Sequence, residues 1–215
     1  MRGYPGLLSN PLFARFFDHF VAKDKGRGED ELRRELLAGL AGEVLEVGPG
    51  NGINFEHYPA AVAELVAVEP EPYLRGRAEE AARSAPVAVR VLDGSAESLP
   101  VPSASLDAVV VAGVLCSVSD QEAALAEFRR VLRPGGELRF YEHVRSRRHA
   151  FARYQDAVDL LWPRLMGGCR TGRETLAAIE RGGFRIERLR GFGFPPGARA
   201  YPVAPRILGA ARVSA

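Results

Sequence analysis

The stretch Val44-Leu45-Glu46-Val47-Gly48-Pro49-Gly50-Asn51-Gly52 decides the fold of this chain. It predicts a short apolar strand that leads into a glycine-rich turn, and we expect a short helix directly after the turn. Glycine at every second position allows a tight turn and leaves the backbone bare, so a ligand can approach it closely. A helix that begins there presents free N–H groups to that ligand. The acidic strand residue and the three glycines together indicate a nucleotide-like ligand.

The composition is that of an ordinary globular protein. The chain has 215 residues, of which 47% are hydrophobic and 26% are charged, which is enough for one domain with a full core. No apolar run has the length of a membrane span, and the N-terminal residues lack the apolar region of a signal peptide. We therefore expect a cytoplasmic protein without a transmembrane segment.

The cysteines and histidines show no metal-binding pattern in the sequence. Cys116 and Cys169 stand far apart, in no metal-like spacing, and are typical of reduced thiols. Cys116 alone is typical of a small buried packing residue. The four histidines form no cluster in the sequence. The sequence therefore predicts no metal site.

Charge is distributed unevenly along the chain. Residues 1–127 carry 11 basic and 20 acidic side chains, whereas residues 128–215 carry 18 basic and 7 acidic ones. The two halves either neutralise each other across the fold or leave a basic rim that attracts anionic substrates or surfaces. The arginines are not interleaved with aromatic residues along a track, so we expect no nucleic-acid partner.

From residue 43 onward, strand-like and helix-like segments alternate, which favours βαβ units in a doubly wound α/β sheet. We predict strands over 43–47, 63–68, 87–92, 106–112 and 137–143, and helices over 53–58, 73–84 and 120–132. We predict further helices over 150–165 and 175–181, and final strands over 184–189 and 206–212. Four prolines exclude a helix between the last two strands, so these strands should pair antiparallel.

The N-terminal segment predicts a capped amphipathic helix over residues 10–21, followed by a second helix over 29–40. Its aromatic side chains Phe13, Phe16 and Phe17 are typical of a core, and they would equally suit a lid over a small-molecule pocket. We expect one domain, with an N-terminal helical cap over 1–40, a cofactor-binding core over 41–145, and substrate-side helices with a terminal strand pair over 146–215.

Two kinds of cofactor use a glycine turn of this type. A dinucleotide site needs the spacing G-x-G-x-x-G, which would place glycine where this chain has Ile53. Glu69 ends the second predicted strand, 21 residues after Gly48, where a carboxylate accepts ribose hydroxyls. An acid at this position suits NAD and S-adenosylmethionine equally well, so Glu69 alone does not choose between them.

Over residues 40–190 the chain resembles the class I S-adenosylmethionine-dependent methyltransferases. The resemblance rests on segments 46–52, 69–70, 93–100, 106–107 and 131–136. It implies a Rossmann-like, doubly wound, seven-stranded sheet that is mostly parallel with a C-terminal antiparallel strand pair, and S-adenosyl-L-methionine as the cofactor. The cofactor-binding residues that it implies are Glu46, Gly48, Pro49, Gly50, Asn51, Gly52, Glu69, Pro70, Gly94, Ser95, Ala96, Ala112 and Gly113.

One position departs from the family pattern. Many relatives carry an adenine-contacting Asp immediately after the glycine of the third-strand element, where this chain has Ser95. The adenine contact would then rest on the Ser95 hydroxyl or on the backbone N–H groups of Ser95 and Ala96.

A narrower resemblance is to a small-molecule branch that includes alkyl-thiol methyltransferase-like and quinone-biosynthesis methyltransferases. It rests on segments 52–55, 58–59, 114–118, 141–144, 168–171 and 173–175. This resemblance implies in-line methyl transfer to a small, fairly apolar acceptor, whether a thiol, a phenol or other hydroxyl, or a quinol carbon. A hydroxyl acceptor would need a general base to remove its proton, and His143 is the candidate. Otherwise, His143 is a structural residue or binds only the cofactor.

The candidate acceptor-side residues are aromatic side chains and one arginine, on the condition that the N-terminal helix folds over the site. Phe13, Phe16, Phe17 and Trp162 would form an apolar wall, and Arg173 lies in a segment that either roofs the pocket or begins a helix. Two alternatives remain at this stage. One is a non-catalytic S-adenosylmethionine-binding sensor or scaffold, and the other is a nicotinamide-dependent oxidoreductase, which Ile53 and the final strand pair disfavour.

Overall fold

A computed structural model of the chain describes residues 14–16, 18–19, 28–198 and 200–213. Its strands are β1 (Gly42–Val47), β2 (Val62–Val68), β3 (Val89–Leu92), β4 (Leu106–Ala112), β5 (Leu132–His143), β6 (Phe184–Gly193) and β7 (Pro205–Val213). They form a seven-stranded sheet in the order β3-β2-β1-β4-β5-β7-β6.

The helices of the described residues flank this sheet. They are α1 (Glu29–Leu37), α2 (Pro72–Ala82), α3 (Gln121–Val131), α4 (His149–Val158), α5 (Trp162–Leu165) and α6 (Thr175–Arg181). Residues 14–16 and 18–19 are also helical, whereas Phe13 and Phe17 lie outside the described residues. Among the helices that the structure describes, none combines the length and apolar character needed to cross a membrane.

The central strands β1, β2 and β4 are covered on both faces, whereas the edge strand β6 is largely exposed. Leu45 and Val47 pack into one apolar cluster, and Val44 packs into the cluster on the other face. Strands β1 to β5 pair in parallel, and β4 is apolar along nearly its whole length, as expected for a strand covered on both sides.

The chain finishes with the strand arrangement that the prolines predict. Strand β7 pairs antiparallel with both β5 and β6 and lies between them. The predicted class of fold is therefore confirmed: a doubly wound α/β sheet, mostly parallel, with a C-terminal antiparallel pair.

Two helix predictions are wrong. The segment after the glycine turn contains only a 3-10 turn, Phe55–His57, because Gly52 has a positive φ of 78° and Tyr58 returns to extended backbone before Pro59. The segment 150–165 forms two helices, α4 and α5, instead of one. Pro163 lies in the first turn of α5, where it cannot donate the hydrogen bond that a continuous helix would need.

Candidate active site

The glycine turn lies at the end of β1, in the middle of the sheet, where the strand order reverses between β1 and β4. In open α/β sheets, ligands bind at this point. Gly48, Gly50 and Gly52 all have positive φ, at 65°, 60° and 78°. A Cβ at Gly48 would lie 2.7 Å from Val114 Cγ2, and one at Gly52 would lie 2.8 Å from Phe55 Cε2. Only glycine fits this turn without displacing its neighbours.

Glu69, one residue beyond β2, faces the same turn. One carboxylate oxygen accepts the Gly50 N–H at 3.0 Å, and the other accepts the Glu71 N–H at 3.0 Å. Burial raises the pKa of Glu69 to about 7, against the opposing effect of these two hydrogen bonds. The structure thus places a buried carboxylate beside the bare backbone, as the sequence predicts.

Glu46, within β1, is held by two residues from segments that the resemblance to the small-molecule branch includes, although no role was predicted for them. Its carboxylate accepts a hydrogen bond from the Asn54 side-chain amide at 2.5 Å and another from the Tyr58 hydroxyl at 2.9 Å. Arg33 on α1 donates to the Asn54 side-chain oxygen at 2.7 Å. Burial, the largest effect, raises the pKa of Glu46 to about 7. Arg33 was not predicted, and its signal in the sequence is a charged residue on the core-facing side of α1.

The element after β3 supplies a buried polar atom. Ser95 is 1% exposed, and its hydroxyl finds no hydrogen-bond partner in the part of the chain that the structure describes. A Cβ at the preceding Gly94 would lie 2.8 Å from Pro100 Cδ, so the backbone packs closely here. Buried hydroxyls are normally paired. An adenosine-type ligand at this element would give the Ser95 hydroxyl a partner.

The remaining predicted cofactor residues lie at the same edge of the sheet. Pro49 belongs to the turn, Pro70 follows Glu69, Ala96 is buried beside Ser95, Ala112 ends β4, and Gly113 follows it. The Asn51 side chain donates to Asp18 at 2.9 Å, and the hydroxyl of Tyr73 on α2 donates to the same carboxylate. The helical residues 14–16 and 18–19 are thereby fastened to the glycine turn and α2.

Glu142, the second-last residue of β5, fixes the turn that follows β4. Its buried carboxylate accepts N–H groups from Val114, Leu115 and Cys116 at 2.9, 3.0 and 3.1 Å. Burial raises the pKa of Glu142, an effect that these hydrogen bonds partly oppose. Sequence reasoning missed this role, because an acid within a strand shows no partner until the neighbouring turn is placed.

His143 ends β5 at the crevice and meets both cysteines there. Its Nδ1 lies 3.4 Å from the Cys116 sulfur and 3.6 Å from the Cys169 sulfur, and the two sulfurs are 3.7 Å apart. Cys116 is fully buried and Cys169 is 8% exposed. The three side chains are distant in sequence, which is why their spacing along the chain shows no sign of this cluster.

The predicted acceptor-side residues divide into two groups. Trp162 packs beside the cysteines and meets Tyr201 edge-to-face, with ring centroids 6.4 Å apart. Arg173 donates to the carbonyls of Leu115 and Val118, so its guanidinium braces the turn after β4. Phe16 lies on the N-terminal helical residues and is 53% exposed.

The class I methyltransferase architecture is defined by four features that this structure has. They are a doubly wound sheet, a central glycine turn, a carboxylate at the end of β2 and a C-terminal antiparallel strand pair. Comparison with known proteins agrees. Residues 45–140 match the methyltransferase domain family. The human thiol S-methyltransferase TMT1B is 32% identical, over 94% of this chain and 87% of its own. The UbiE ubiquinone/menaquinone biosynthesis C-methyltransferase of Syntrophotalea carbinolica is 34% identical, over 62% of this chain and 60% of its own.

Solved structures agree as well. A Thermotoga maritima S-adenosylmethionine-dependent methyltransferase, described as a possible histamine N-methyltransferase, superposes with a TM-score of 0.69 at 20% identity, covering 94% of this chain and 98% of its own. The chain belongs to the S-adenosylmethionine-dependent methyltransferases. Its cofactor is S-adenosyl-L-methionine, it is an enzyme, and the expectation of methyl transfer to a small-molecule acceptor is confirmed. The sensor and oxidoreductase alternatives are set aside.

Proposed function

We propose that this protein transfers the methyl group of S-adenosylmethionine to the sulfur of a small, fairly apolar thiol. The observation that carries the proposal is the extent of the similarity to the thiol S-methyltransferases. It covers 94% of the chain, well beyond the cofactor-binding residues 45–140, and so includes the segments that surround the cysteines. The match to the C-methyltransferase covers only 62% of the chain.

The residues around the glycine turn fit the cofactor. When bound, S-adenosylmethionine supplies the activated methyl group. We assign Glu69 to the ribose hydroxyls, because its buried carboxylate is positioned against the Gly50 backbone. Ser95 is assigned to the adenine ring, and Glu46 to the amino end. The remaining contacts come from backbone and small side chains at Gly48, Pro49, Gly50, Asn51, Gly52, Pro70, Gly94, Ala96, Ala112 and Gly113.

The residues on the acceptor side align the acceptor with the methyl group and keep water out of the site. An in-line displacement needs the acceptor sulfur held close to the methyl group on the side opposite the leaving sulfur. The apolar side chains around the cysteines are Val203, Trp162, Met166 and Tyr201. They would pack against the carbon skeleton of the acceptor and keep water from the reacting atoms.

A thiol acceptor removes the need for a strong base. The thiol of cysteine ionises near pH 8.5, far below an alcohol, and a thiolate is intrinsically a strong nucleophile, so even a small ionised fraction supports transfer. His143 is therefore not assigned proton abstraction here, and that role stays a prediction only for a hydroxyl or phenol acceptor. Instead, its Nδ1 faces the two cysteine sulfurs.

The test is a matched acceptor panel. Purified protein with S-adenosylmethionine would be given an alkyl thiol and the alcohol of the same chain, thiophenol and phenol, and a quinol, with methylated products identified by mass spectrometry. We expect methylation of the thiols and at least about 100-fold slower methylation of the oxygen analogues. Methylation of phenol or quinol without any thioether product would overturn the proposal. Glu69→Ala serves as the control that activity depends on this cofactor site.

A further inference from the structure

Three side chains with metal-ligand chemistry converge at the acceptor side from separate parts of the chain. Cys116 lies in the turn after β4, His143 ends β5, and Cys169 lies in the turn after α5. The sulfur–sulfur distance is 3.7 Å, and the sulfur–Nδ1 distances are 3.4 and 3.6 Å. One ligand atom from each residue therefore falls within a single small cluster.

These distances match the edges of a tetrahedral zinc site. Zinc bonds of about 2.3 Å to sulfur and about 2.0–2.1 Å to nitrogen, at tetrahedral angles, place two sulfurs about 3.8 Å apart and sulfur and nitrogen about 3.5 Å apart. The observed edges agree to within about 0.2 Å. A disulfide would bring the sulfurs to about 2.05 Å and would leave no role for an imidazole nitrogen near both.

We infer that Cys116, His143 and Cys169 bind one thiophilic divalent ion, zinc, and that its fourth coordination position takes the sulfur of the acceptor. The metal site stands on the geometry alone, whereas the fourth ligand rests on the proposed thiol methylation. Three protein ligands of the Cys2His type with one open position are the pattern of catalytic zinc, while structural zinc sites close all four positions.

The two cysteine turns are held in place before any ligand binds. Glu142 accepts the Cys116 N–H, and the Arg170 N–H donates to the Cys116 carbonyl at 2.9 Å. A Cβ at Gly168, which has a φ of 86°, would lie 2.9 Å from the Ser117 carbonyl oxygen, so the turns pack backbone against backbone. Outer contacts of this kind orient metal ligands.

The charges also balance. Two thiolates and a neutral imidazole neutralise a divalent ion, and an acceptor thiolate would then add one negative charge. The Arg173 guanidinium interacts electrostatically with both Cys116 and Cys169, and its positive charge offsets that addition. The charges of Arg170 and Glu142, which also act on Arg173, are opposite and cancel. This balance matters because the cluster is buried among apolar side chains, where an unpaired charge is costly.

The cluster adjoins the cofactor turn. Val114, two residues before Cys116, is the side chain that a Cβ at Gly48 would strike. The acceptor thiol would lose its proton to solvent on coordination, because zinc binds the thiolate. A sulfur lone pair then forms the new bond to the methyl carbon while the bond from that carbon to the donor sulfonium breaks. The products are a neutral thioether and the demethylated donor, and the thioether is the weaker ligand and leaves.

The metal half of the inference is tested on the full chain. We expect about one zinc per chain after purification in zinc-supplemented buffer, and an intense sulfur-to-metal charge-transfer band when cobalt(II) replaces zinc. Cys116→Ser, Cys169→Ser and His143→Ala should each weaken binding of the metal at least tenfold. His149→Gln, at an exposed position on α4, should not. Calorimetric binding of S-adenosylmethionine confirms that each variant is folded.

The acceptor half is tested on the cobalt-substituted protein. Adding an alkyl thiol should shift the charge-transfer band and raise the sulfur count in X-ray absorption from two to three, and the matching alcohol should do neither. An unshifted band overturns the fourth ligand. Zinc uptake that none of the three ligand variants changes overturns the metal site. A Cys116–Cys169 disulfide that persists after treatment with a reducing agent overturns it as well.

The inference and the proposed function fail differently. Undiminished thiol methylation by metal-free protein overturns the fourth ligand and leaves the function standing, while zinc uptake decides the metal site. Stoichiometric zinc on the three ligands, in a protein that methylates only oxygen or carbon acceptors, overturns the function and the fourth ligand while the metal site stands.

Discussion

The Glu69 carboxylate and the Gly50 backbone N–H are joined by a 3.0 Å hydrogen bond that links the end of β2 to the turn after β1. The acid assigned to the ribose thus also fixes the backbone that faces the ligand. Glu69 is therefore expected to matter both for the shape of the turn and for the affinity of the cofactor.

Glu69→Ala should weaken S-adenosylmethionine binding by about tenfold to a hundredfold, because hydrogen bonds to a charged group contribute about 1.5–3 kcal/mol. Isothermal titration calorimetry measures this directly. Glu79→Ala, which removes an exposed carboxylate from α2, is the matched control and should leave the affinity unchanged. Equal affinities for Glu69→Ala and the unaltered protein would remove the ribose assignment.

The buried Glu46 makes stability depend on pH. Its pKa is about 7 in the folded protein against an ordinary 4.5, so between these values the native state holds a proton that the unfolded chain releases. Stability contributed by this group is full below about pH 4.5 and is lost as the pH rises to about 7. Glu46→Gln should remove about 3 kcal/mol of this pH dependence.

Urea unfolding of both proteins at intervals from pH 4.5 to 8 gives the comparison. The difference in unfolding free energy between the Gln variant and the unaltered protein should grow in favour of the variant across the window and then level off. A difference that stays constant with pH would show that Glu46 titrates normally.

Ser95→Ala separates cofactor binding from stability. Because the buried hydroxyl has no partner in the described part of the chain, its removal should leave the unfolding free energy unchanged or raise it by up to about 1 kcal/mol. Affinity for S-adenosylmethionine should fall about threefold to tenfold, the loss of one neutral hydrogen bond. Ser98→Ala, on the exposed side of the same loop, controls for the substitution itself. Full affinity in Ser95→Ala would place the adenine contact on backbone atoms.

Glu142→Gln should loosen the turn after β4. The amide retains one acceptor oxygen but turns an NH2 group toward N–H donors that the carboxylate satisfies in the native protein. We expect a loss of about 2–3 kcal/mol in unfolding free energy from unpaired buried donors. Thiol-reactive reagents should also label Cys116 faster than in the unaltered protein. Glu122→Gln on α3 provides the control, and a labelling rate equal to that of the unaltered protein would mean that the turn holds without Glu142.

The spacing of apolar residues and the positions of glycine and proline were enough to predict the sheet. The apolar run of β4 and the prolines before β7 each act locally, and each produced the predicted element. Residues 133–136 ended the preceding helix as predicted, but they belong to β5, which begins at Leu132 and not at residue 137. The prediction of a helix after the glycine turn failed because tertiary demands override local propensity there. The Asn54 side chain and the Tyr58 hydroxyl both turn inward to the buried Glu46 carboxylate, which a regular helix at this position would not arrange.

The cofactor side of the site could be located from sequence because its parts occur at fixed distances from strand ends. The acceptor side could not. Cys116, His143 and Cys169 come together only when the turns after β4 and α5 pack against each other, and no short-range pattern encodes that packing. Arg33 and Glu142 were missed for the same reason, since their partners lie on other elements.

The position of β7 between β5 and β6 has a consequence for biosynthesis. In the sheet order, β7 lies between β5 and β6, and each of these strands is hydrogen-bonded to β7. Until residues 205–213 leave the ribosome, the sheet therefore lacks the strand that joins β6 to β5. Nascent chains therefore expose two unpaired strand edges until β7 has been made. A premature stop before Pro205 would yield an aggregation-prone product even though every residue assigned to the cofactor had already been made.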